Sequence, residues 1–194
     1  VLASALRFLT YSPETQAMLP MLIHEAATES RFDRLASQML ITAAGLQQSI
    51  AHGMEMSVMC AEDYPLFPAD PPPNDYLLGN LMEKVVKLQC GIWPKGPVPD
   101  DFHEPVTGDV PVLLLSGEYD PVTPPEYADQ VAVHFDNAMH LVAPGQGHIA
   151  VTRGCMGDIV STFIADAGTD NIESDCLSQL QPSPFFQTLT GPKP

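Results

Sequence analysis

The sequence predicts an α/β protein in which a helical cap precedes the carboxyl-terminal part of a parallel sheet. Three observations carry that prediction. Residues 1 to about 100 hold helical apolar spacings broken by proline-rich stretches. The run Pro111-Val112-Leu113-Leu114-Leu115 is continuously apolar, as a strand covered on both faces requires. After it, the chain alternates strand, polar loop and helix twice. The division falls as residues 1–104 for the cap and 105–194 for the sheet-bearing core.

Each element has a local cause. Leu2, Leu6 and Leu9 already keep helical spacing at the start, which reads as a cut through a longer chain. Ser12 caps a helix whose first position is Pro13, with Glu14 near the positive end of the helix dipole and Met18, Leu19, Leu22, Ile23 and Ala26 on one face. A second helix from about Arg31 carries Leu35, Met39, Leu40, Ala43, Leu46 and Ile50. Met54, Met56, Val58 and Cys60 alternate, which predicts a short extended segment leading to Glu62 and Asp63. Five prolines within residues 64–74 exclude helix and inner strand there. A further amphipathic helix is expected from about Tyr76 to Leu88, before Cys90.

In the second half, the strand at 111–115 ends in the polar loop Glu118-Tyr119-Asp120-Pro121-Val122-Thr123, and Thr123 is placed to cap a helix through Tyr127, Val131 and Phe135. A strand at 139–143, the loop Pro144-Gly145-Gln146-Gly147-His148 and a helix over about 153–165 follow. This order makes a crossover unit of a doubly wound sheet, in which polar groups at the carboxyl ends of strands face the crevice where ligands bind.

Composition narrows the partners. The 194 residues are 45% hydrophobic, enough for a core, and the net charge of −16 repels both phosphate backbones and anionic headgroups, so neither nucleic acid nor a membrane is expected as a partner. No apolar run reaches the roughly 18 residues that a membrane span needs. His24-Glu25 opens like a zinc-peptidase helix, but Thr28 stands where the second histidine belongs; His52, His103, His134 and His140 lack a partner at ligand spacing, and no metal or cofactor is expected. Cys60, Cys90, Cys155 and Cys176 form no C-x-x-C pair. They read either as two disulfides in an oxidising compartment, paired in sequence order, or as four buried thiols in a reducing one.

Asp120 and His148 lie just beyond consecutive strands, the two places from which a carboxylate orients an imidazole. Singly each is an ordinary loop residue; together they form the base and orienting acid of a nucleophilic triad. No G-x-S-x-G nucleophile elbow occurs in the chain.

The segment from Pro111 through Asp120 to Pro124, followed by Ala143-Pro144-Gly145-Gln146-Gly147-His148, resembles the C-terminal domain of the tripeptidyl aminopeptidase-like α/β-hydrolases, with proline iminopeptidases as more distant relatives. The likeness extends back through Tyr11-Ser12-Pro13, Leu19-Pro20 and residues 57–63, and forward through Gly154-Cys155 to Cys176-Leu177. It implies an α/β-hydrolase core with a helical cap, Asp120 as triad acid, His148 as triad base, and a serine elbow in a missing N-terminal half, since the fold's chain order is serine, acid, histidine. It also implies both disulfides, a periplasmic or secreted home, and a peptide substrate whose free ammonium is held by cap carboxylates. Glu62 and Asp63 are the candidates for that role, alongside their reading as a solvated acidic pair. An esterase or lipase of small ester substrates on the same fold, and a non-catalytic binding module, are the alternatives; without the serine, the chain alone is expected to be inactive.

Overall fold

The computed structural model describes residues 2–73, 75 and 79–192. It forms two compact units, Val1–Ala5 with Leu40–Glu104, and Leu6–Met39 with Pro105–Pro194. Residues 6–39, however, group with the strands rather than with the rest of the cap. The reason is their apolar cluster: Leu9, Leu19, Met21, Leu22 and Leu35 are buried together, with Phe186 of the carboxyl-terminal segment packed on them.

α1 (Leu2–Leu9), which belongs to this second unit from Leu6 onward, leads into α2 (Pro13–Glu29), where Ser12 Oγ accepts from Thr15 N at 3.3 Å and Pro13 takes the first turn, as the capping pattern requires. Burial of Leu22 contributes about 1.5–3 kcal/mol, and its removal to alanine costs roughly 2–5 kcal/mol once the cavity is counted. On α3 (Asp33–Ser49), Leu35 is buried while Leu40 is exposed, so the predicted face holds only at its start. The contributions expected from the Leu2 and Leu46 side chains, and the helix start at Tyr76, lie outside the described residues.

Two parallel strands carry the core, β1 (Val112–Gly117) and β2 (Ala138–Ala143), in register from Val112 opposite Ala138 to Gly117 opposite Ala143. Between them runs α6 (Pro125–Ala132); parallel pairing demands such a crossover. After β2 comes α7 (Met156–Asp166). Side chains alternate across the sheet. Leu113, Leu115 and Leu141 pack with Ala143, Ala150, Met156, Ile159 and Leu177, whereas Leu114, Ser116 and His140 belong to the opposite face, against which α6 lies. The Cys155–Cys176 disulfide closes the edge of the first of these layers.

One expectation changes here. Val112–Leu115 has the composition of a strand buried on both faces, yet it is only half-buried, because among the described residues β2 is its only strand partner.

The helical unit is built on α4 (His52–Val58), a π-turn over Met59–Asp63, a 3-10 turn at Tyr64–Leu66, and α5 (Leu81–Ile92). The extended segment predicted over residues 54–60 is therefore a helix. Met56 and Cys60, four apart, are buried while Met54 and Val58 are exposed, and the Cys60–Cys90 disulfide fixes that face against Val86. Alternation over seven residues had matched a strand only because positions 56 and 60 belong to both periods. Among the described residues, no helix is long and apolar enough to cross a membrane.

Candidate active site

The Asp120 loop is made by its own backbone. Asp120 N donates to Gly117 O at 3.2 Å, closing the turn off the end of β1. The carboxylate then accepts four hydrogen bonds: Val122 N (2.8 Å) and Thr123 N (3.0 Å) on Oδ1, and Thr123 Oγ1 (2.9 Å) and the His148 ring (2.8 Å) on Oδ2. Those fill the acceptor capacity of a carboxylate and leave its plane no freedom. Thr123 thus spends its hydroxyl on Asp120 rather than capping α6, whose N-cap is Pro124 and which ends before Phe135.

His148 reaches Asp120 because the two loops touch. A β-carbon on Gly117 would lie 2.0 Å from Gly147 O, so only glycine lets β1 end this close to the second loop. Gly145 takes φ +67°, the left-handed bend expected of it. Gly147 has another function: a β-carbon there would meet Tyr11 O at 2.4 Å. Past this gap His148 N donates to Tyr11 O at 2.7 Å, and the Tyr11 ring sets its edge against the imidazole, centroids 5.7 Å apart. Ile149 follows at φ 66°, a costly conformation for a β-branched residue, of order 1–3 kcal/mol, directly beside His148. Arg153 closes the loop with a two-pronged ion pair to Glu14, whose carboxyl is held below its ordinary range chiefly by that guanidinium's hydrogen bond.

The electrostatics assign the ring proton. Burial by itself pushes the Asp120 carboxyl up, but the bonds from Thr123 N, His148, Val122 N and Thr123 Oγ1 outweigh it and hold the group below the usual aspartate range. An ionised carboxylate only accepts, so His148 Nδ1 carries a hydrogen when it meets Oδ2. In the neutral ring that leaves the lone pair on Nε2. Nε2 has no partner among the described residues, and the His148 side chain remains 28% accessible against 4% for Asp120. A fixed acid, an oriented imidazole and an open second nitrogen are the parts from which a hydroxyl proton is removed.

The other predicted site residues lie in the helical unit. Glu62 is half-buried within the π-turn and Asp63 is exposed at its end. Neither lines the cavity of about 530 Å³ in that unit, which is bordered by Tyr64, Phe67, Asp70, Asn80, Glu83 and Lys87. Glu83 Oε2 is buried there without a hydrogen-bond partner among the described residues, a carboxylate that nothing in the local sequence marks. Tyr11 meets His148 through its main-chain oxygen as well as its ring, and the main-chain contact carries no residue signature. Among the described residues, no group of three or more His, Cys, Asp or Glu is arranged to hold a metal ion.

A family model described as TAP-like protein matches residues 76–176, more than half of the chain, and spans both Asp120 and His148. No curated protein matches the chain, and no solved structure does. With its parallel strands and crossover helix, the chain belongs to the TAP-like family, the tripeptidyl aminopeptidase-like α/β-hydrolases.

Proposed function

We propose that this chain supplies the acid and base of a serine hydrolase that acts as an aminopeptidase on short peptides. The observation that carries the reading is the 2.8 Å bond from His148 Nδ1 to a fully satisfied Asp120, with Nε2 open. In the proposed reaction a serine outside these 194 residues attacks the substrate carbonyl. His148 Nε2 takes the serine proton and returns it to the leaving amine, and water then releases the acyl group by the same path. Asp120 keeps the tautomer and stabilises the imidazolium while it lasts. That the serine lies elsewhere is supported by the lack of a G-x-S-x-G and by the inner-strand composition of β1, whose outer edge suits a further parallel strand.

Carboxylates of the helical unit, Glu62 and Asp63, hold the substrate ammonium in this reading. The two disulfides support an oxidising home, periplasmic or secreted. The test pairs the 194-residue chain with a form that includes the serine-bearing half, on aminoacyl-anilides with free and acetylated amines. Turnover only by the longer form, at least about tenfold faster on the free amine, is the expected result. Substantial turnover by the chain alone refutes the external serine, and equal rates on both substrates favour a simple esterase-like hydrolase.

A further inference from the structure

A second histidine of the strand unit is bonded at both nitrogens. His140, on β2, has Nδ1 2.8 Å from Asp129 Oδ1 on α6 and Nε2 2.9 Å from Ser116 Oγ on β1. Its side chain is only 10% accessible and Ser116 is buried, so no substrate reaches this serine. What the three residues join is a helix and two strands.

That junction matters because α6 has little else to hold it. The helix has no buried side chain; Tyr127 and Val131, its largest apolar residues, are exposed. Apolar burial therefore contributes little to its docking, and the hydrogen bonds of a nearly buried imidazole become the main directional attachment. Asp129 sits one turn into the helix. Immediately before that turn come Val122 and Thr123, which supply three of the four donors to Asp120. A shift of α6 relative to β1 moves those donors and loosens the carboxylate that orients His148.

We propose that His140 is a positioning residue for the Asp120–His148 pair, acting by pinning α6 to both strands through Asp129 and Ser116. This rests on the hydrolase reading above. Ser116 suits the role, since its hydroxyl donates to a neutral imidazole or accepts from a protonated one, and the link persists in either state.

The test reads the tautomer of His148 in the full 194-residue chain, by two-bond proton–nitrogen correlation spectra, alongside amide exchange of α6. In the wild type the proton sits on Nδ1, and Asp120→Asn abolishes that preference. His140→Phe, which keeps a planar ring but no hydrogen bonds, is expected to lower the Nδ1–H population of His148 by half or more and to speed α6 exchange at least tenfold. Asp129→Ala, at an exposed position, should do the same, and decides the matter if His140→Phe does not fold; Asp129→Asn, whose amide oxygen still accepts, should restore most of the wild-type population. Wild-type His148 tautomer in a folded His140→Phe or Asp129→Ala chain overturns the proposal. A wild-type chain in which His148 shows no Nδ1–H preference sensitive to Asp120→Asn overturns the catalytic pair itself, and this proposal with it.

Discussion

His140 lies on β2 and His148 in the loop that follows it, and each presents Nδ1 to a carboxylate at 2.8 Å. Their surroundings differ in the ways that decide chemistry. Asp120 is almost wholly buried and fully bonded, whereas the Asp129 side chain is 68% accessible. His148 keeps Nε2 open, whereas that of His140 is taken by Ser116. An aspartate–histidine bond alone therefore does not mark a base. The marks are a carboxylate that has no other state available and a second nitrogen left for the reactant.

The contrast is broken most sharply by mutating both histidines in a longer form that includes the proposed serine-bearing half. His148→Ala is expected to lower kcat/KM at least about a thousandfold, and His140→Phe by no more than about thirtyfold, since in the proposed reaction the first removes the base and the second only its support. Losses within about tenfold for His148→Ala would remove the basis for distinguishing the two.

Next in size is the disulfide at the edge of the layer that holds Leu113, Leu115 and Leu141. Replacing Cys155 and Cys176 together by alanine should cost about 2–4 kcal/mol in urea unfolding, by the loop-entropy argument for a separation of 21 residues. Gly147→Ala follows, at about 1–3 kcal/mol, because the added methyl meets a main-chain oxygen that has nowhere to go. An equivalent substitution at Gly157, where a β-carbon finds nothing closer than 3.8 Å, should leave the midpoint within about 0.5 kcal/mol or raise it.

The smallest effect is electrostatic. Asp120 is held below its ordinary range in the folded chain, so as pH falls the unfolded chain takes up the proton first. The stabilisation is complete above the unfolded value and fades as pH drops through the lower, folded one. The difference in Tm between wild type and Asp120→Asn should be constant above about pH 5 and shrink below about pH 4. A gap that instead widens in acid would mean the carboxyl is destabilised as an ion by its surroundings.

Much of this was legible in the residues themselves. The cap of α2 follows from Ser12 and Pro13, β1 from an unbroken apolar run, and the meeting of Asp120 and His148 from polar loops at two strand ends, each marked by a few adjacent residues. The parts that escaped depend on distance along the chain. Ser116, Asp129 and His140 converge from three elements, so His140 has no neighbour at ligand spacing although both of its nitrogens are bonded. Thr123 sits where a cap belongs, and only the presence of a nearer, charged acceptor diverts its hydroxyl. Residues 54–60 matched two periods at once, and the disulfide partner thirty residues away chose between them. Glu83 is an unremarkable helical glutamate until a proline-rich loop closes over it.

The hydrogen bond that steadies His148 from the amino-terminal side is accepted by the peptide oxygen of Tyr11, and so has no codon of its own. Alanine scanning will pass over it, because every residue supplies that oxygen. The genetic signature is displaced to position 147, where any side chain at all collides. A saturation library should accordingly be more permissive at the large aromatic, where only a ring contact is lost, than at the smallest amino acid, the reverse of what side-chain size alone would rank.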